Sequence, residues 1–504
     1  MEEFINALNG LIWSNALILL CLGAGIYFSF VTKFVQVRYF GDMIKLLFKG
    51  KSSEQGVSSF QAFALALSGR IGTGNIAGVA TAIAMGGPGS IFWMWVIAFL
   101  GSASAYIEAT LGQIYKEVKD GQYRGGPAFY IEKGLGIKWY AALFAIVTIL
   151  SMAVLLPGVQ SNSIASSMKS AFQVPVEVTG GVVVLFLAMI IFGGVKRIGK
   201  VAEFVVPFMA IGYILLAQII MILNYEKIPD VISLIISSAF NLEAAYSGVF
   251  GLAISWGIKR GIYSNEAGQG TGPHAAAAAE VDHPAQQGLV QAFSVYIDTL
   301  FVCSATAFMI LITGMYNVKG PGKDELLVNN GVYYTQDGVK HVEGSATYTQ
   351  AAIDKAFSSK ETFDENYVGS GSYFVAIALF FFAFTTLMAY YYIAETNVAY
   401  LTQNKGAPVL MFLLKMGILV AVFFGCVRTA KIAWDLGDMG VGIMAWLNVI
   451  AIIILQKPAL LSLKDYEKQK AEGKDPVFDP VALGIKNADF WEFEYGKEAA
   501  VTEK

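Results

Sequence analysis

The sequence predicts an all-α integral membrane protein of about eleven transmembrane helices. Three observations predict it. Of 504 residues, 56% are hydrophobic and only 14% are charged, against roughly 25% charged in soluble domains. Apolar runs of the ~20 residues that a bilayer requires recur along the chain. Two of these runs are interrupted by glycine and polar residues, and a membrane tolerates unwound backbone only where it is buried in protein or lines a cavity.

Taken in order, the runs lie near residues 12–32, 58–85, 88–115, 139–168, 176–195, 201–224, 246–280, 286–314, 371–402, 407–427 and 433–456. The chain starts Met1-Glu2-Glu3, acidic where a secretory signal is basic, so the first run is read as a retained span. A polar insert runs from Tyr316 to Ser370, and a charged tail follows Lys457 and is expected along or beyond the membrane surface. One set of loops collects Lys33, Arg38, Lys45, Lys49, Lys51, Lys116, Lys119, Arg124, Lys133, Lys138, Lys196, Arg197, Lys200 and Lys405. The other set has little beyond Lys169, Lys227, Arg428 and Lys431. The basic side is read as cytoplasmic, which puts the N-terminus and the insert outside and the C-terminus inside.

Setting the first span aside, ten remain and divide five and five. The expected organisation is an extra N-terminal helix and loop (1–57), a first five-helix repeat (58–224), a second (225–456, with the insert 316–370) and the tail (457–504). Each repeat opens on an interrupted run. The first break is Ser68-Gly69-Arg70-Ile71-Gly72-Thr73-Gly74-Asn75, and the second is Tyr263 to Pro273. An odd number of spans per repeat makes the two halves run in opposite senses. Paired breaks in inverted halves point to a shared site at the bilayer midplane. At such a break one half-helix offers free N–H groups to an anion, and the other offers free carbonyls to a cation.

Composition excludes other classes. A net charge of -3 and the lack of a basic run argue against nucleic-acid binding. Cys21, Cys303 and Cys426 lie in apolar stretches without metal-ligand spacing, so they read as buried thiols. No histidine cluster within a span suggests an enzyme, and no cofactor is expected. A pore would need rings of charge or repeated carbonyl filters, and none is visible.

Three stretches resemble the sodium:alanine symporter family, also described as alanine or glycine:cation symporters. One is Gly72-Thr73-Gly74-Asn75-Ile76-Ala77-Gly78-Val79-Ala80, continuing into Gly86-Gly87-Pro88-Gly89-Ser90-Ile91-Phe92-Trp93-Met94-Trp95. A second is Lys259-Arg260-Gly261-Ile262-Tyr263-Ser264-Asn265-Glu266-Ala267-Gly268, with His283-Pro284 and Gln287-Gly288 following. The third is Phe382-Ala383-Phe384-Thr385-Thr386 with Ala394-Glu395-Thr396-Asn397. The resemblance extends over most of residues 58–456. It implies a leucine-transporter-like fold and sodium-coupled uptake of a small neutral amino acid. The family often has Phe at Tyr263 and Trp at Tyr390, both positions expected to line the pocket.

The candidate site follows. Gly72, Thr73, Gly74 and Asn75 are expected to offer backbone N–H groups and the Thr hydroxyl to a substrate carboxylate; the alternative for the glycines is close helix packing. Ser264, Asn265 and Gly268 are expected to form the facing wall, with Tyr263 and Tyr390 closing over the substrate side chain; the alternative is a helix C-terminus and cytoplasmic turn beginning at Lys259-Arg260. By resemblance Gln160 is the substrate contact on the fourth span, where its neighbour Asn162 also needs a partner. Ile71, through its carbonyl, Thr385 and Thr386 are assigned to sodium, a hard cation that prefers oxygen; the alternative for the threonines is bonding back to their own helix. Lys259 and Arg260 need carboxylate or carbonyl partners at membrane depth, and Glu266 is one candidate. Glu108, Asp298 and Glu395 read as structural pairing at least as readily as function.

The expected function is a symporter that couples sodium influx to uptake of alanine or glycine by alternating access. Glutamine or another polar amino acid, or protons in place of sodium, is the alternative within the same fold.

Overall fold

A computed structural model describes residues 2–50, 52–240, 250–320, 326–329, 332–335, 338–341, 346–357, 369–402 and 407–495. Lys51, Lys405 and most of the loop content of the insert 316–370 lie outside the described residues. Among the described residues, eight helices are long and apolar enough to cross a membrane. They are Glu3–Val31, Gly89–Ile114, Lys138–Phe172, Lys196–Leu223, Pro284–Thr313, Ser370–Thr402, Ala407–Val427 and Ala430–Ala471. Three of the predicted spans are absent from this set for visible reasons. Val176–Ile191 is regular but only 16 residues long. The runs near 58–85 and 246–280 are each divided, into Ser59–Arg70 and Gly74–Gly86, and into Phe250–Asn265 and Gly272–Ala277.

The strand content is three two-stranded antiparallel ladders among the described residues, all in loops. Glu117–Lys119 pairs with Gln122–Arg124. Asn317–Lys319 pairs with Leu326–Asn329, and Val332–Thr335 with Gly338–His341, both inside the insert.

Proline explains one irregularity. Lys138–Phe172 passes through a wide π-helical turn at Ser151–Leu155 just before Pro157. Pro157 has no N–H to continue the regular ladder, and Leu156 N–H reaches back five residues to the Ser151 carbonyl at 2.9 Å. A second π-helical stretch, Tyr296–Cys303, interrupts Pro284–Thr313. Such bulges concentrate at functional sites.

One expected boundary is corrected and one helix is added. Sequence patterning puts the last span at 433–456, but the helix runs for 42 residues, Ala430–Ala471. At 1.5 Å per residue it is roughly 63 Å long, twice a hydrocarbon core, so its polar final turns continue beyond the apolar run that sequence patterning detects. A helix at Ile228–Ala239 was not foreseen at all. The tail also does more than lie along a surface. Phe490 and Trp491 are buried. Trp491 Nε1–H donates to the Gln113 carbonyl at 2.9 Å, and the Tyr495 hydroxyl donates to Asp282 at 2.9 Å. The buried ammonium of Lys116 faces the rings of Tyr123 and Phe490 at 4.2 and 4.4 Å. The tail thus packs on the loops that carry the basic residues.

Candidate functional site

The first break forms because Ile71 turns out of the helix, at φ -76° and ψ 93°. The Ile71 N–H still closes the last turn on Leu67 at 2.8 Å, but its carbonyl points away from any helical ladder. The Thr386 hydroxyl approaches that carbonyl at 3.3 Å while donating to its own helix at Phe382, 2.9 Å away. Two hard oxygens therefore converge at the open end of a half-helix, a donor set suited to a sodium ion. Thr385 is not part of this pair. Its hydroxyl donates back to Phe381 and Phe382 at 3.0 Å and lies toward Met209.

Beyond the break, side-chain carbonyls take the freed amides. Gly72 N–H donates to Asn75 Oδ1 at 2.8 Å, and Thr73 N–H donates to Gln160 Oε1 at 3.0 Å. Gln160 Nε2 in turn donates to the Tyr390 hydroxyl at 3.3 Å. The Thr73 hydroxyl is buried with no hydrogen-bond partner. Such orphans are uncommon in interiors, and this one stands beside the amide expected to meet a carboxylate. Ile71, Gly72, Thr73, Gln160, Tyr390 and Thr386 thus form one connected group.

The two glycines differ. A Cβ on Gly72 would stand 2.5 Å from Thr386 Oγ1 and 3.0 Å from Gln160 Oε1, so Gly72 faces the group just described. A Cβ on Gly74 would stand 3.3 Å from Ser264 Cα and from Tyr263 Cδ1. Gly74 therefore serves close approach of the two broken helices, the packing alternative.

Asn75, Ser264 and Asn265 gather on Asp298, in the π-helical stretch. Asn75 Nδ2 and Ser264 Oγ donate to Asp298 Oδ1 at 2.6 and 3.0 Å. Thr299 donates to Oδ2 at 2.6 Å, and Asn265 Nδ2 donates to Thr299 at 3.3 Å. One carboxylate thus ties both breaks together. The sequence flags it only as an acid within a span; nothing in its spacing shows that it meets both breaks. Asn162 does its work elsewhere, donating to the carbonyls of Gly425 and Arg428 at 3.1 and 2.6 Å.

The second break is turned by Glu266, Gly268 and Gly270 at φ 55°, 80° and 87°. Its exposed amides are satisfied by a buried acid. Gly268 and Gly270 N–H donate to Glu108 at 3.2 and 3.1 Å, and Asn448 Nδ2 donates at 2.7 Å. Glu395 pairs with Arg124 at 3.4 Å. For both of these acids the geometry is structural pairing.

Lys259 and Arg260 find their partner in Asp438, not Glu266. Arg260 forks onto both Asp438 oxygens at 2.8 and 2.9 Å, and Lys259 adds a contact at 2.7 Å. The triad faces a cavity of about 540 Å³ that Trp13, Trp256 and Trp434 also line. Tyr263 packs against Trp434, with ring centroids 5.1 Å apart, so these two rings lie between that cavity and the first break. Neither Trp434 nor Asp438 carries a local motif that would have nominated it.

The sequence profile of the sodium:alanine symporter family matches residues 1–480. The chain belongs to that family. It is 62% identical over 499 residues to a Bacillus subtilis protein named a putative sodium/proton-dependent alanine carrier, covering 99% of each chain. It is 54% identical over 453 residues to the sodium/proton-dependent alanine carrier of Bacillus sp. strain PS3, covering 90% of this chain and 98% of that one. A probable sodium/glutamine symporter of Bacillus subtilis is 42% identical over 481 residues, covering 95% and 93%. Family membership makes the chain a multi-pass membrane transporter.

Proposed function

We propose that this family member couples sodium influx to uptake of alanine by alternating access. The observation that carries the reading is the group at the first break: an amide at Thr73 and a hydroxyl suited to a carboxylate, beside a carbonyl–hydroxyl pair suited to sodium. The substrate carboxylate takes the Thr73 N–H and hydroxyl, Gln160 turns its amide to the substrate, and Tyr390 closes over the side chain. Tyr263, Ser264 and Asn265 supply the opposite wall. Sodium sits at the Ile71 carbonyl and the Thr386 hydroxyl. Because both ligands would occupy the same break, each raises the affinity of the other, which is the reciprocal coupling that symport requires.

The names of the relatives at 62% and 54% identity favour alanine, and glutamine is named for the one at 42%. The architecture that suits this mechanism is eleven spans, an extra N-terminal helix followed by two inverted five-helix repeats, in the inner membrane of a bacterial cell with the N-terminus outside. Uptake into proteoliposomes, with a panel of labelled amino acids and with or without a sodium gradient, tests the reading. Sodium-driven accumulation of alanine ahead of glutamine and leucine is the expected result; accumulation indifferent to sodium overturns it.

A further inference from the structure

Beside the Lys259–Arg260–Asp438 triad, a second cluster of four buried charged groups lies at the two breaks, and its charges do not cancel. Arg70 is only 1% exposed, and its Nη1 donates to the Gln291 carbonyl at 3.2 Å and to Ser294. Its Nε and Nη2 have no hydrogen-bond partner. Glu108, Glu266 and Asp298 are buried as well, and among the described residues no lysine or arginine nitrogen lies within 4.0 Å of their carboxylates. Within this cluster one guanidinium stands against three carboxylates, an excess of negative charge at membrane depth, where uncompensated charge is strongly unfavourable. Transported cations are the compensation at hand.

The three acids are not equivalent. Glu108 accepts three hydrogen bonds, from Gly268, Gly270 and Asn448. Asp298 also accepts three, from Asn75, Ser264 and Thr299. Glu266 accepts one, from the Thr271 hydroxyl at 2.7 Å. Donors stabilise the ionised form, so Glu266 is the acid least committed to its charge. It lines a small cavity of about 10 Å³ walled mainly by Leu65, Ala66, Gly69, Ala389 and Ile393. That is room for about one water, with too few oxygens for the six or more ligands of a hard metal cation. The guanidinium is close by: a Cβ on Gly272, another lining residue, would stand 2.8 Å from Arg70 Nη2. Glu266 also holds a left-handed backbone at φ 55°, uncommon for any residue but glycine.

We propose that Glu266 is the group that carries a transported proton. The inference rests on the symport reading above and adds a second ion to it. A proton delivered by water on one side bonds to a carboxylate oxygen, giving the neutral acid; the same O–H bond breaks when the proton leaves to water on the other side. A proton on Glu266 and a sodium at Ile71 and Thr386 would each offset one carboxylate of this cluster. The charged and titratable groups facing Glu266 are Arg70 on the first broken helix, Asp298 on the π-helical stretch, Tyr263 on its own helix, and Tyr390 and Tyr392 on Ser370–Thr402, with Glu108 beyond Arg70. Of these the guanidinium alone favours the carboxylate, so its unpartnered nitrogens make it the counter-charge when the proton is gone.

The test is alanine accumulation in proteoliposomes with the membrane potential clamped. At equal sodium on both sides, a one-unit pH step, acid outside, is expected to raise accumulation by up to about tenfold, the limit for one proton per alanine. Glu266→Gln is expected to lose this pH-driven accumulation while a sodium gradient still drives uptake. Thr271→Val removes the one hydrogen bond that favours the carboxylate and is expected to move the pH of half-maximal uptake upward; this measurement decides the matter if Glu266→Gln does not reach the membrane. Full pH-driven accumulation in Glu266→Gln, or an unmoved midpoint in Thr271→Val, overturns the proposal. Sodium-driven but pH-indifferent uptake by the unmutated protein also overturns it, and leaves the sodium reading intact. Absence of sodium-driven uptake would instead sink the symport reading.

Discussion

Gln160 Oε1 accepts the Thr73 N–H at 3.0 Å, across 87 residues of chain. The fourth span thereby places a neutral, reversible acceptor on the amide that a carboxylate would engage. A carboxylate is a stronger acceptor than an amide, so the exchange favours substrate without leaving the N–H unpaired when substrate departs.

The two glycines of this break are expected to fail differently. Gly72→Ala places a methyl group at 2.5 Å from Thr386 Oγ1 and 3.0 Å from Gln160 Oε1, inside the ligand group. Gly74→Ala strains the contact with Ser264 and Tyr263 instead. Alanine binding should be abolished by Gly72→Ala, whose methyl group forces Thr386 and Gln160 to shift. Gly74→Ala should lower the melting temperature of the detergent-purified protein, at an overpacking cost of about 1–3 kcal/mol. Loss of binding in Gly74→Ala as complete as in Gly72→Ala, at unchanged stability of Gly74→Ala, would contradict the assignment.

Adjacent threonines offer an internal control. Thr386→Ala removes the hydroxyl 3.3 Å from the Ile71 carbonyl. A hydrogen bond or ligand oxygen worth about 1.5 kcal/mol corresponds to roughly tenfold in affinity, so the half-saturating sodium concentration should rise by about that factor. Thr385→Ala, whose hydroxyl bonds back to its own helix, should change it less than twofold. Sodium titration of alanine uptake separates the two.

Asp438 is expected to be the most sensitive charged position. Asp438→Asn leaves Arg260 and Lys259 without their anion, and removing one partner of a buried ion pair costs about 3–5 kcal/mol. The double variant Arg260→Gln with Asp438→Asn should recover part of that loss, since the remaining groups can hydrogen-bond as neutral amides. Melting temperatures of the two single variants and the double variant form the cycle that measures the coupling. Additive losses would show that the fork contributes nothing.

Sidedness can be read from the insert. Ser345 lies outside the described residues, but Thr347 is exposed at the start of the helix Ala346–Phe357. A single cysteine at Thr347 should react with an impermeant thiol reagent added outside intact cells. Reaction only after the cells are opened would invert the proposed orientation.

Much of this architecture was legible because glycine and polar residues stand out against apolar runs. Both breaks fall where Gly72, Gly74, Gly268 and Gly270 placed them. What single positions do at a break was less legible. Neighbours on a helix point about 100° apart, and pattern alone cannot say whether Thr385 or Thr386 meets the Ile71 carbonyl. The same limit left Gly72 and Gly74 undivided. Partners far apart in sequence were the other gap. Arg260 needed an anion, and Glu266 was near in sequence, but Asp438 supplies it from 178 residues away. The final helix outran its predicted end because hydropathy marks where lipid stops, not where helical hydrogen bonding stops.

The tail that covers Lys116 also sets an order of events during synthesis. Gln113, Lys116 and Asp282 are made long before Trp491 and Tyr495, which bond to Gln113 and Asp282. Every membrane helix has therefore left the ribosome before this face can be finished. Until then the Lys116 ammonium lacks the Phe490 ring, at 4.4 Å in the finished protein, and keeps only the Tyr123 ring and the Ala279 carbonyl. A nascent chain halted before Asp489 would carry all its spans and still present this unfinished face.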